Sequence, residues 1–278
     1  MIDLHMHTTA SDGRSTPTQL VAEVVAKGMT TMAVADHDTT AAWDEVSAAA
    51  QDAGVTCIPG IEITAVSAGR DVHMLGYFFD RRHVELDTFL TRQREDRGRR
   101  LQEIGVRLAR LGVPVDLDRA IASSGHRAGR ALGRPIAAAA LVAAGHVADI
   151  REAFDKYLAE GRAAFIERVG ISPADVVALV ARAGGLTSMA HPGKTQKDAL
   201  IPALVAAGLP AIEAFHPDHD SIDTARYRKM ATSYGLLVTG GSDYHGPGSG
   251  RSQGFGHVHL PRVDYERLVE RAGWPDRA

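Results

Sequence analysis

His5-Met6-His7 closes an alternating segment, Ile2-Asp3-Leu4-His5-Met6-His7, and it constrains the fold more than any other feature. In an extended strand, residues i and i+2 leave the same face. His5 and His7 therefore point together, while Ile2, Leu4 and Met6 are left for packing. Two imidazoles aimed one way at the end of a buried strand make half of a transition-metal site. The competing account is a chance polar pair near the N-terminus, and only the rest of the chain decides between them.

That rest repeats one pattern. A polar turn over 8–15 leads to Thr16-Pro17, a helix start with Thr16 as N-cap, and the helix over 18–27 ends at Gly28. An apolar run over 30–35 reads as a buried parallel strand ending in Asp36-His37-Asp38. A helix over 41–52 and a strand over 56–58 lead to Pro59-Gly60-Ile61-Glu62, and a strand over 71–77 carries His73. The rhythm resumes with a helix over 173–183, then Ala190-His191-Pro192-Gly193 and a helix over 198–207. A strand over 211–215 ends at His216-Pro217, a helix covers 221–234, and a strand over 236–239 ends in Gly241-Ser242-Asp243-Tyr244-His245. This alternation predicts parallel α/β architecture. Strand ends are where a barrel gathers its active site, and seven carry ionisable residues: His5/His7, His37, Glu62, His73, His191, His216 and Asp243/His245. The imidazole and carboxylate mixture suits zinc, manganese or iron rather than calcium.

Between 83 and 165 the pattern breaks into helices, with a long one over 86–111 carrying Arg92, Arg94, Arg97, Arg99 and Arg100. This stretch reads as a helical insertion over the barrel mouth, or as a bundle with no part in binding. Its arginines fit a solvated face or a track for RNA. A net charge of −3 argues against coating long nucleic acid but leaves room for a local basic groove. Cys57 is the only cysteine, which excludes a disulfide framework and a thiolate cluster; it reads as an inert core thiol. Without a basic start followed by an apolar stretch, or a long uncharged apolar window, the expectation is a cytoplasmic protein with no membrane and no protein partner evident.

Taken together, His5-Met6-His7, Ser11-Asp12-Gly13, Ala35-Asp36-His37-Asp38, Pro59-Gly60-Ile61-Glu62, His73, Ala190-His191-Pro192-Gly193 and Gly241-Ser242-Asp243-Tyr244-His245 resemble the PHP (polymerase and histidinol phosphatase) family in order. The resemblance implies an α/β fold, a distorted (β/α)7 barrel over 1–82 and 166–278, with the helical insertion 83–165 covering the active site. It implies two to three divalent ions (Mn2+, Zn2+ or Fe2+). Carried over by position, the first takes His5, His7, Glu62 and Asp243. Glu62 bridges to a second completed by His73 and His191, and a third takes Asp12, His37 and His245. Such a cluster lowers the pKa of water and neutralises phosphoryl oxygens.

Within the family, Leu132-Gly133-Arg134-Pro135 and the flanking insertion segments are similar to the subgroup of 3',5'-nucleotide bisphosphate phosphatases and 5'-3' exoribonucleases. There a His usually follows Gly-Arg-Pro; here the residue is Ile136. The leading expectation is hydrolysis of the 3'-phosphate of a small nucleotide such as 3',5'-bisphosphorylated adenosine. The alternatives are 5'-3' exoribonuclease action on short RNA and a catalytically silent, metal-stabilised module. Asp243 and His216 are the catalytic candidates, His216 facing the phosphate as donor or general acid. Arg134 is the expected phosphate clamp, with Arg127, Arg130 and Lys194 as alternatives. Asp36 reads as an orienting partner of a ligand imidazole or as a helix cap. His83, His126, His146, His219, His257 and His259 read as surface or structural residues.

Overall fold

The computed structural model describes residues 1–124, 128–250 and 252–274. Seven strands lie in sequence order in one sheet: β1 (Ile2–Met6), β2 (Thr31–Val34), β3 (Thr56–Ser67), β4 (Arg70–Tyr77), β5 (Leu186–Met189), β6 (Ala211–Phe215) and β7 (Leu237–Gly240). The sheet curls until its edges meet. Met6 and Tyr244 form an isolated bridge, and the His7 amide donates to the Tyr244 carbonyl at 2.8 Å. Beside it the buried Asp3 carboxylate accepts from the amides of His5 (3.1 Å) and Ser242 (3.0 Å). Gly241 makes this seam sterically feasible, because a Cβ there would lie 2.4 Å from the His5 nitrogen. The result is a nearly closed α/β barrel.

β1, β2 and β3 run parallel, as do β5, β6 and β7, but β4 is antiparallel to both its neighbours. This corrects the expectation of a wholly parallel sheet. Pro59-Gly60 looked like the end of a short strand over 56–58, yet β3 continues through it to Ser67. Gly60 is required there because a Cβ would come 2.7 Å from the Val34 carbonyl oxygen. Ser67 pairs with Arg70 across Ala68 and Gly69, whose φ values of 51° and 74° suit a two-residue type I′ hairpin. Antiparallel neighbours need no crossover helix.

The outer helices follow their sequence signals. α1 (Pro17–Ala26) begins with a capping box in which the Thr16 side chain accepts from the Gln19 amide and the Gln19 side chain accepts from the Thr16 amide. α2 (Trp43–Asp52) follows. α3 (Val84–Arg110), 27 residues long, buries Leu86 and Leu90 against the barrel core. Further along, its Leu101, Ile104 and Leu108 start a separate core with Ile136 and Leu141 of α5 (Arg134–Ala143) and with Leu158. α4 (Leu117–Ser123) and α6 (Ile150–Ala153), the latter running into a π-helical turn at Phe154–Leu158, complete this helical layer. α7 (Pro173–Arg182), α8 (Pro192–Thr195), α9 (Ile201–Ala206) and α10 (Ser221–Tyr234) return the chain to the barrel. α11 (Arg262–Ala272), which the strand-end pattern did not foresee, packs Tyr265 and Leu268 onto the same core. Among the described residues no helix is long and apolar enough to cross a membrane.

Candidate metal centre

One end of the barrel gathers the predicted ligands. His5, His7, Glu62 and Asp243 place their ligand atoms within 4.8 Å of one another, as do His7, Asp12, His37 and His245, and as do His37, Glu62 and His73. Glu62 lies at the junction. Its Oε1 is 2.7 Å from His73 Nδ1 and 3.1 Å from His191 Nε2, while its Oε2 is 3.4 Å from both His5 Nε2 and His7 Nε2. All nine predicted ligands therefore meet in one place. Two are not at strand ends, contrary to the sequence pattern. Glu62 sits midway along β3, and His73 lies in the first half of β4, because β4 runs the other way and presents its beginning to the mouth.

The donor atoms are prepared for cations. His5 Nε2, both nitrogens of His7, His37 Nδ1, Glu62 Oε2 and His191 Nδ1 are buried without a hydrogen-bond partner. Unpaired buried polar atoms are costly, and a converging set of them fits a metal site. Burial is the main cause holding His7 and His191 down at about 4, and it also pushes His37 well below its ordinary value, so these imidazoles are neutral at pH 7. Burial alone would raise Asp12, Glu62 and Asp243, but the surrounding histidines outweigh it and hold all three well below the carboxylate range. Neutral imidazole and ionised carboxylate are the metal-binding forms. The residues fit a cluster of borderline divalent ions.

Hydrogen bonds fix several tautomers. His245 Nδ1 donates to the Asp243 carbonyl oxygen at 2.7 Å, turning Nε2 towards Asp12 Oδ1 at 3.2 Å. His5 Nδ1 donates to Glu213 Oε1 at 2.9 Å, which turns Nε2 towards Glu62 and Asp243; burial opposes charge on this ring, but Glu213 and Glu62 outweigh it and hold His5 well above its ordinary value, so a cation binding there displaces the Nε2 proton. His216 is the reverse case. Its Nδ1 accepts from the Asp218 amide at 3.0 Å, so the neutral ring carries hydrogen on Nε2, 3.5 Å from Asp243 Oδ2. His216 is thus a donor at the edge of the cluster. It also forms a possible ligand trio with His5 and Glu213, which the sequence reading did not include.

Glu213 is the residue that reading missed. It is wholly buried in β6, and its second oxygen accepts from the His191 amide at 2.7 Å. That bond steadies His191 at φ 28° and ψ 56°, a sparsely populated conformation for a residue with a side chain. Glu213 therefore braces one predicted ligand on each side of Glu62. The available signal was an acid inside the apolar run Ala211-Ile212-Glu213-Ala214-Phe215.

Other expectations resolve individually. Asp36 accepts from the Thr8 amide and from the Thr8 and Ser11 hydroxyls, so it shapes the loop bearing Asp12 and neither orients an imidazole nor caps a helix. His219 is structural but buried, accepting from the Gly193 amide and donating to the Ala214 carbonyl oxygen. Lys194 Nζ reaches Asp243 Oδ2 at 2.9 Å. Arg134 and Lys194 share an opening walled by Glu62, Asp71, His73 and His191. Arg130 instead donates to the Ser124 and Ser11 carbonyl oxygens. Ile136 faces the helical core. Arg127 and His126 lie outside the described residues.

A seven-stranded barrel with converging imidazoles and ionised carboxylates defines a candidate metal centre of the hydrolase type. The PHP domain family model matches residues 3–101. The chain is 32% identical to a 3',5'-nucleoside bisphosphate phosphatase of Chromobacterium violaceum over 268 residues, covering 94% of this chain and 93% of that one. It is 34% identical to a 5'-3' exoribonuclease of Haemophilus influenzae, covering 88% and 90%. It is also 35% identical to a phosphoribosyl 1,2-cyclic phosphate 1,2-diphosphodiesterase of Eggerthella lenta, covering 88% and 94%. A crystal structure from Bifidobacterium adolescentis, provisionally described as a metal-dependent phosphoesterase, superposes with a TM-score of 0.89 at 33% identity, covering 97% and 96%. The chain belongs to the PHP family and is a metal-dependent phosphoesterase.

Proposed function

We propose that this phosphoesterase removes the 3'-phosphate from a small nucleotide of the 3',5'-bisphosphorylated adenosine type. The observation that carries the reading is the opening over Glu62 and His191, flanked by the cations Arg134 and Lys194. Two or three divalent ions (Mn2+, Zn2+ or Fe2+) would be held by His5, His7, Asp12, His37, Glu62, His73, His191, Asp243 and His245. When bound, they supply Lewis acidity that lowers the pKa of water and neutralises phosphoryl oxygens.

The chain's own residues orient and move protons. Lys194 sits beside Asp243 and pairs with a phosphoryl oxygen entering there. Arg134, with its guanidinium 5.3 Å from the Phe165 ring centroid, offers a fork of donors on the other side. His216 passes its Nε2 hydrogen to the departing ribose oxygen as the phosphorus–oxygen bond breaks. Segment 83–165 acts as a cover that excludes water from the bound nucleotide.

Phosphate release from 3',5'-bisphosphorylated adenosine in added manganese tests the assignment. Turnover well above a His7→Ala control supports it, and none, with metal occupancy verified, refutes it. The exoribonuclease relative favours a second reading, stepwise release of nucleotides from the 5' end of short RNA. A labelled oligonucleotide separates the two by its product ladder.

A further inference from the structure

The arginines of α3 divide between a solvated face and the interior. Arg92 and Arg99 are exposed, but Arg97 and Arg100, three residues apart, turn inward. They meet Arg134 of α5 and Arg168 in a cavity of about 150 Å3 that also reaches Asp12, His37 and His73 of the metal centre. We propose that this cavity is a second oxyanion subsite, which takes a non-reacting phosphoryl group while the reacting one lies at the histidine cluster. The inference rests on the phosphoesterase reading above and adds what makes it selective.

Charge is the first argument. Four guanidiniums, those of Arg97, Arg100, Arg134 and Arg168, face three carboxylates, Asp12 and Asp71 on the cavity wall and Asp38 behind Arg97 and Arg168, which leaves one positive charge in excess. Arg100 and Arg168 are only 6% and 5% exposed, so water does little to screen the excess. Burial first, and the neighbouring Arg97 second, pull Arg168 down to about 10 against the opposing pull of Asp38 and Asp71.

Unpaired donors are the second. Arg97 is accounted for as a staple between α3 and the barrel, since it donates to Asp38, Thr64 Oγ1 and the Leu132 carbonyl oxygen. Arg100 donates through one nitrogen to the Ile166 carbonyl oxygen, yet its Nε has no hydrogen-bond partner. Arg168 Nε and Nη1 also lack one, and stand 3.5 Å from Asp71 and Asp38. Arg134 makes only long contacts, 3.4 Å to the Leu158 carbonyl oxygen and 3.6 Å to Asp71. A purely structural cluster would close these gaps, because buried donors without a hydrogen-bond partner are costly. A phosphoryl dianion draws on both the excess charge and the forked donors. A carboxylate offers half the charge.

The place of Arg134 on the walls of both openings puts the two subsites side by side. Substrates carrying two phosphoryl groups, whether a bisphosphorylated nucleotide or a short oligonucleotide, would bridge them. A monophosphate would fill only one.

The test compares the metal-loaded enzyme on 3',5'-bisphosphorylated adenosine and on adenosine 3'-monophosphate, in the wild type, Arg168→Gln and Arg100→Gln. Arg100→Gln is the safeguard if Arg168→Gln fails to fold, since Arg100 gives up a single hydrogen bond, to the Ile166 carbonyl oxygen. The wild type is expected to favour the bisphosphate. In the variants that preference should shrink about 10- to 100-fold, chiefly through KM, as expected for loss of a charged hydrogen bond. Equal losses on both substrates would overturn the subsite. A parallel arm melts the metal-free protein at pH 8 with inorganic phosphate or acetate. Phosphate should raise the wild-type midpoint more than acetate does and more than it raises that of Arg100→Gln; equal shifts would overturn the subsite. If the wild type hydrolyses neither nucleotide, the substrate reading fails, and the melting arm still decides whether the cavity binds an oxyanion.

Discussion

Replacing Glu213 by glutamine is expected to weaken metal binding without changing any predicted ligand. Glu213 has two acceptor oxygens and both are used, by His5 Nδ1 at 2.9 Å and by the His191 amide at 2.7 Å. Glutamine offers one acceptor oxygen and an NH2 group that only donates. If its oxygen keeps the His191 amide, the NH2 faces His5 Nδ1, and the imidazole must either lose that bond or move its hydrogen to Nε2. The second choice places hydrogen where a cation needs a lone pair. If instead the oxygen keeps His5, the strained His191 turn loses its brace. Loss of an outer partner of this kind costs about 10- to 100-fold in metal affinity, or about 1.4–2.8 kcal/mol. Competition with a chromophoric chelator measures that affinity directly, with His7→Ala as the reference for a lost ligand. The reasoning is refuted if Glu213→Gln, folded by circular dichroism, binds manganese or zinc as tightly as the wild type.

Three further outcomes follow from the packing. Asp38 is buried between Arg97 and Arg168, and although burial alone would raise its pKa, these two cations hold it below the ordinary value. A lowered carboxylate stabilises the fold above the unfolded pKa of about 3.9 and loses that contribution as pH falls through the lower folded value. Asp38→Asn should therefore cost about 3–5 kcal/mol at neutral pH and show a shallower acid destabilisation below about pH 4 by urea titration. An equally steep acid limb would count against the pairing. Gly241→Ala forces a methyl to 2.4 Å from the His5 amide nitrogen, so it should destabilise by at least the 1–3 kcal/mol typical of overpacking and lower metal affinity as His5 shifts; an unchanged melting point would contradict this. Manganese at about 100 times its dissociation constant should stabilise the wild type by about 2.7 kcal/mol, and His7→Ala by less, in calorimetry.

Much of the site was legible because its residues stand out chemically from their surroundings. His5 and His7 interrupt an apolar strand at the period that aligns them, and Asp243 and His245 do so in the segment that closes the barrel against β1. Local signals also placed the start of α1, through Thr16 as N-cap and Pro17 in the first turn. The direction of β4 was not legible. It depends on Gly60 passing beneath Val34 and on Ala68 adopting a positive φ, and neither requirement shows in hydrophobic periodicity. The inward turn of Arg97 and Arg100 was hidden for a similar reason, since helix spacing tells which residues share a face but not which face meets the barrel.

Anomalous diffraction from crystals of the full chain soaked in manganese bears most directly on the metal centre. Peaks should lie among His5, His7, Glu62 and Asp243, at ordinary coordination distances from their side-chain nitrogens and oxygens, with a further peak sharing Glu62. An absence of anomalous signal there in well-ordered soaked crystals, with the imidazoles in their present places, would contradict the account.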